Sequence, residues 1–209
     1  MTNVLLIVFT ITLVYLSIAN RIRTYIHILS LQGIILFGIS LISLTEISSI
    51  NLIFILLENL GLKAISIPLF LVYIIKKNRI TREAEPYVPN FVSLVIVSCI
   101  IIVTFLISSS IGNPDPDKMY FIVALSSLFT GLYIILTRRK VITHVMGYLI
   151  IENGVFILSL AVGTEIPMLI NTAILLDLIV SILLLGLFVN KIGDIFKDAD
   201  IDQLSQLKD

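Results

Sequence analysis

Glu58, Lys63, Glu152 and Asp177 are ionisable residues set deep inside long apolar runs. On insertion scales a charged side chain at the centre of a bilayer costs about 2.5–3.5 kcal/mol, so four ionised and unpaired groups would cost on the order of 10 kcal/mol. Such groups must be neutralised, paired or reached by water. Two readings follow: a path for protons or ions, or ion pairs and hydrogen bonds that hold helices together. His144, Tyr148 and Glu152 sharpen the first, because at i, i+4 and i+8 they climb one helix face from a basic edge toward the bilayer centre, and all three can carry a proton. His144 taken alone also reads as an interfacial histidine beside Arg138, Arg139 and Lys140.

The spacing orders the other groups. Asn59 and Lys63 share a helix face, whereas Glu58 sits about 140° away from Lys63 at ~100° per residue. Lys63 is therefore placed to pair with a carboxylate of another span, and a buried lysine is a cation able to give up its proton. Ala173, Asp177 and Ser181 form a small-residue face that admits a close neighbour. Pro68 has no N–H for the carbonyl of Ala64, so this turn is either kinked and wetter or simply an ordinary membrane-helix proline.

These residues are positioned by apolar segments of membrane-spanning length. The chain has 209 residues, 58% hydrophobic and 13% charged. A soluble domain carries about 25% charged residues. About 20 apolar residues cross a bilayer core of roughly 30 Å, which places spans near 3–20, 25–45, 50–75, 90–112, 119–137, 142–163 and 167–190. Each is expected to be helical, since lipid offers no partner for exposed backbone groups and no alternating barrel pattern is visible. The expectation is an all-α integral membrane bundle of about seven helices. No Lys or Arg precedes the first apolar run and Arg21 and Arg23 follow it, opposite to a signal peptide, so it reads as a mature span.

Seven spans put Arg21, Arg23, Lys76, Lys77, Arg79, Arg82, Arg138, Arg139, Lys140, Lys191, Lys197 and Lys208 on one side, 12 of the 14 basic residues. By the positive-inside rule that side is cytoplasmic, with the N-terminus outside and the C-terminus inside. Sliding the chain by 119 residues lays Thr45-Glu46-Ile47 on Thr164-Glu165-Ile166 and Glu58 on Asp177, with Phe37, Ser40 and Leu41 on Phe156, Ser159 and Leu160. This predicts a parallel 3+1+3 repeat: residues 1–75 as spans 1–3, residues 76–118 as a cytoplasmic loop, span 4 and an external loop, 119–190 as spans 5–7, and 191–209 as a cytoplasmic tail.

Several chemistries lack their residues. Zero net charge gives no pull toward nucleic acid, and one cysteine, Cys99, permits neither an internal disulfide nor a cysteine-ligated cluster. There is no phosphate-binding glycine loop, HExxH or Ser/His/Asp set, so no catalytic centre, metal or cofactor is expected. His27 and His144 are the only pair able to ligate a haem, a weak case. The tail acids Asp198, Asp200 and Asp202 mimic half a calcium loop, but Gln203 stands where that loop needs glycine. Ile192, Ile195, Phe196 and Ala199 fit one helical face, suited to the membrane surface or a cytoplasmic partner.

The stretch GYLIIENGVFILSLAVG at 147–163, after a basic turn, resembles the sixth span of hydrogenase-4 component E. That family is similar over its last three spans to the K subunit of complex I and the C subunit of multi-subunit cation/proton antiporters. KAISIPLFL at 63–71 resembles the same family's Lys-Ala and Ile-Pro segment. By position Glu152 matches the buried glutamate in the middle span of the K subunit, and Asp177 corresponds loosely to that subunit's last-span glutamate. The resemblance implies a non-redox membrane subunit of a hydrogenase-type, complex-I-like oxidoreductase in the cytoplasmic membrane. It would sit beside antiporter-like membrane subunits and cytoplasmic hydrogenase and iron–sulfur subunits. Glu152, Asp177, Glu58, Lys63, His144 and Tyr148 would then line part of a proton path. The alternatives are a subunit of a cation/proton antiporter or an autonomous small carrier, and an assembly scaffold whose charges are only glue.

Topology is directly testable. A reporter fused after Asp209 is expected to read as cytoplasmic and one in the 113–118 loop as external; adjacent loops reporting the same side would refute the seven-span arrangement.

Overall fold

A computed structural model describes residues 1–43, 56–77, 86–110 and 118–162. Apart from isolated bridge residues at Arg21, Pro86 and Arg138, the last two paired with each other, all regular structure among them is helical. The elements are α1 (Thr2–Ile18), α2 (Ile22–Ser43), a wide π-helical segment (Leu56–Ser66) running directly into α3 (Ile67–Lys77), α4 (Asn90–Ser110), α5 (Lys118–Thr137) and α6 (Val141–Val162). Among the described residues, five stretches are long and apolar enough to cross a membrane: Ile22–Ile42, Asn59–Lys76, Asn90–Ser110, Lys118–Thr137 and Ile142–Ala161. At 17 residues α1 is shorter, about 25 Å at 1.5 Å per residue. The chain is thus a helical membrane protein. The expected seventh span, 167–190, lies outside the described residues, as do Thr45–Ile47, Thr164–Ile166, Asp177 and the tail.

The helices associate through backbone approach and polar contacts, as expected where lipid is as apolar as leucine. The closest pair is the α5–α6 hairpin. A Cβ on Gly131 would stand 2.7 Å from the carbonyl oxygen of Gly147, and one on Gly147 would stand 2.9 Å from that of Gly131. One further step along the seam, a Cβ on Gly154 would meet the Ala124 carbonyl at 3.0 Å. The Ser127 hydroxyl donates to the Ile150 carbonyl at 2.8 Å across the same seam. These small residues recur every seven positions on α6 and every three to four on α5, so each helix presents one continuous groove to the other.

Around this hairpin α1 packs on α2, α4 and α5, while α2 also contacts the π segment, α3 and α6. Leu6, Phe9, Leu13 and Leu16 bring the buried face of α1 into the core. On α4 the buried positions are Ser93, Val97, Thr104 and Ser108, a narrow stripe rich in hydroxyls. Thr104 shares a 2.7 Å hydrogen bond with Ser126, and the Tyr133 hydroxyl donates to Ser93 at 2.8 Å. Much of the rest of α4, including Phe91, Val95, Ile102 and Phe105, is exposed apolar surface, and the free cysteine, Cys99, is exposed too. Such a face is stable against lipid tails.

The close approach in the hairpin has a measurable consequence. Gly147→Ala should destabilise the bundle by about 1–3 kcal/mol, because the new methyl meets backbone that cannot yield. Gly38→Ala should be near neutral, since its Cβ would meet only the flexible end of Leu5 at 3.3 Å. Thermal unfolding of the two variants in detergent checks the contrast.

Candidate functional site

The site begins with the π segment. Its backbone makes i→i+5 rather than i→i+4 hydrogen bonds, a geometry uncommon except at functional sites. Ser66 reinforces it, donating its hydroxyl to the Gly61 carbonyl five residues back at 2.8 Å. Two features of α2 hold the segment in place. A Cβ on Gly33 would lie 2.8 Å from the Ala64 nitrogen, so the two backbones touch. Three residues earlier, Ser30 donates to the Ala64 carbonyl at 2.6 Å. That is the carbonyl to which Pro68 has no proton to give. The proline site expected to be kinked or wet is thus met by a neighbouring helix.

Lys63, next to this anchor, crosses to α6. Its Nζ lies 3.3 Å from Oε1 of Glu152, and both side chains are about 95% buried, at 5% and 4% exposure. The ammonium also stands over the ring of Phe156, 4.9 Å from its centroid. Removing one partner of a buried ion pair costs about 3–5 kcal/mol, and a desolvated cation–π contact contributes about 2 kcal/mol. Beside Glu152, Asn153 donates its amide to Gln32 Oε1 at 3.1 Å. Gln32 donates to Thr12 Oγ1 at 2.9 Å, and Thr12 donates to the Phe9 carbonyl at 2.6 Å. This chain is buried throughout and runs from α6 through α2 to α1. Asn59 is wholly buried with neither amide atom hydrogen-bonded, one helical turn before Lys63.

The other expected site residues fall as follows. Tyr148 is half-buried one turn before Glu152. His144 is part-buried, and its Nε2 is 2.8 Å from the Arg138 carbonyl, so it ties the start of α6 to the preceding turn. His27 is exposed on α2. Glu58 belongs to the π segment, but its side chain lies outside the described part, as does Asp177. The 140° offset expected between Glu58 and Lys63 assumed an α-helix and does not hold here, because a π turn takes up more residues.

Sequence reasoning passed over two groups. Gln32, the centre of the polar chain, is signalled only as an amide in an apolar span. Arg138 was expected in a basic loop exposed to water, yet it is 1% exposed. Its Nη2 donates to the Ser17 carbonyl at 2.9 Å, which places a cation at the negative end of the α1 dipole. The guanidinium lies 5.9 Å from the Tyr25 ring, and Arg139 lies 4.6 Å from the Tyr87 ring. Tyr87 also donates its backbone N–H to the Thr137 carbonyl at 2.9 Å. The α1–α2 turn, the entry to α4 and the α5–α6 turn are thereby gathered at one end of the bundle.

The site is therefore an internal charge pair in a helical membrane protein. Over 190 residues the chain is 25% identical to Rv0085, a Mycobacterium tuberculosis protein described as uncharacterized, covering 90% of this chain and 86% of that one. It is 28% identical over 86 residues to hydrogenase-4 component E of Escherichia coli K12 and of Shigella flexneri, covering 41% of this chain and 40% of those proteins. No protein-family model matches the chain, and no solved structure does.

Ser30→Ala should cost about 1–3 kcal/mol by withdrawing the donor from the buried Ala64 carbonyl. Pro68→Ala in the same chain should lessen that cost by restoring a backbone N–H. Unfolding of the single and double variants in detergent measures both.

Proposed function

We propose that the chain is a non-redox membrane subunit of a complex-I-like, hydrogenase-type assembly, and that Lys63 and Glu152 form one station on its proton or ion path. The buried ion pair carries this reading. Its two groups can both gain or lose a proton, and Glu152 sits midway along α6. Partial similarity to hydrogenase-4 component E supports the kind of assembly. In this reading the chain spans the cytoplasmic membrane seven times, as two parallel three-span repeats around a connecting span. Its N-terminus is outside and its C-terminus in the cytoplasm. Its partners are antiporter-like membrane subunits and cytoplasmic hydrogenase and iron–sulfur subunits. Tyr148 and His144 extend the path toward the basic end of the bundle, and Glu58 and Asp177 belong to the same path.

One observation favours a second reading. The Thr12–Gln32–Asn153 chain binds three helices together beside the ion pair, as a scaffold would. Glu152→Gln separates the two, because glutamine fills the hydrogen-bonding position but does not titrate. In the assembled complex, the proton-path reading expects Glu152→Gln to leave assembly intact and to impair proton translocation per electron transferred, with Glu152→Asp retaining part of it. Normal translocation by an intact Glu152→Gln complex would remove this residue from the path, and loss of assembly would favour the scaffold.

A further inference from the structure

The Lys63 ammonium meets two residues one turn apart on α6, the Glu152 carboxylate at 3.3 Å and the Phe156 ring with its centroid at 4.9 Å. They attract it differently. The carboxylate does so only while ionised, whereas the negative face of an aromatic ring is the same at every protonation state. Phe156 is itself 4% exposed, so water does not screen the contact. The backbone that carries Lys63 is fixed by the Gly33 approach and the Ser30 hydrogen bond at Ala64. Any shift of the ammonium after Glu152 is neutralised must therefore come from rotation of the lysine side chain. On α6 the ammonium meets the Glu152 carboxylate and the Phe156 ring.

We propose that Phe156 is a positioning residue, a partner that does not titrate and that retains the Lys63 ammonium against α6 whenever Glu152 carries a proton. This rests on the pair acting as a proton station. In the loaded state Glu152 is a neutral acid, Lys63 keeps its positive charge, and the ring holds that charge within reach of the oxygen that will be ionised again. An aliphatic side chain of similar volume would fill the space but would leave the ammonium without this attraction.

Ring fluorination tests the proposal, since fluorine withdraws charge from the ring face with little change in volume. The full-length chain, purified in detergent, would carry mono-, di- or trifluorinated phenylalanine at position 156. Thermal unfolding would be followed in the natural, Glu152→Gln and Lys63→Met backgrounds. We expect the melting midpoint to fall stepwise with fluorine number, by about 2–4 °C at the trifluoro ring in the natural background. The fall should be steeper in Glu152→Gln and absent in Lys63→Met. Equal slopes in the natural and Lys63→Met backgrounds would mean that the ring only packs, and would overturn the proposal. A Glu152→Gln slope no steeper than the natural one would do the same. Should Glu152→Gln not fold, the natural against Lys63→Met contrast decides. These readouts are independent of translocation. Intact translocation in Glu152→Gln alongside a fluorine slope would leave a cation clamp without a proton path. Impaired translocation with a flat series would leave the path and remove Phe156 from it.

Discussion

An ammonium and a carboxylate 3.3 Å apart inside an apolar bundle each supply a charge the other needs. Both side chains are almost wholly removed from solvent. Continuum arguments make such a pair a poor source of stability compared with apolar packing, yet a severe loss when one partner is removed. The pair therefore acts as a constraint. It requires the π segment and α6 to keep a fixed separation through α2, the helix that touches both. The contacts around it meet that requirement. Ser30 and Gly33 fix the lysine side of the pair, and the Asn153–Gln32–Thr12 chain fixes the carboxylate side.

The two sides are fixed by different physics. At Ala64 the restraint is backbone on backbone, made possible by a glycine and completed by a hydroxyl serving the carbonyl that Pro68 leaves without its α-helical donor. On α6 the restraint is a run of side-chain amides with one direction. Thr12 donates to its own helix, so its oxygen is left to accept from Gln32; Gln32 then turns its carbonyl to Asn153. Each step determines the next, and Asn153 is held immediately beside Glu152. A residue's neighbour in sequence is thus anchored to a helix 121 positions away. Along α5 and α6 the glycine seam keeps the helix that carries this anchor from shifting.

Much of this organisation could be read from the residue order. Helix bounds follow the apolar runs closely, because a change from apolar to charged composition is also the change from lipid to interface. Lys63 was recognisable as a group needing a carboxylate from another span, since its own span offered none on its α-helical face. The π geometry was not legible, because it comes from how α2 meets the segment rather than from local propensity. Arg138 illustrates a second limit. Counted with Arg139 and Lys140 it is a loop charge, but its side chain turns inward to the end of α1, and that contact spans 121 residues of sequence. Gln32 was invisible for a related reason: a single amide in an apolar helix reads the same whether it meets a partner or faces a neighbouring methyl group.

A paired site also behaves differently from a lone buried acid, and the difference bears on what this arrangement can do. Ionising an isolated carboxylate in a low-dielectric interior creates one unmatched charge, which makes the change costly and slow to reverse. Between Lys63 and Glu152, passing a proton from the ammonium to the carboxylate removes both charges together. The net charge of the interior is unchanged. In the proposed path, a proton arriving from outside would meet a site able to redistribute it. Phe156 breaks the symmetry of that exchange, because its ring attracts only the charged lysine. In the proposed path the hydrogen bonds on Asn153 would hold the acid's backbone still, confining the change to two side chains whose anchors do not move with it.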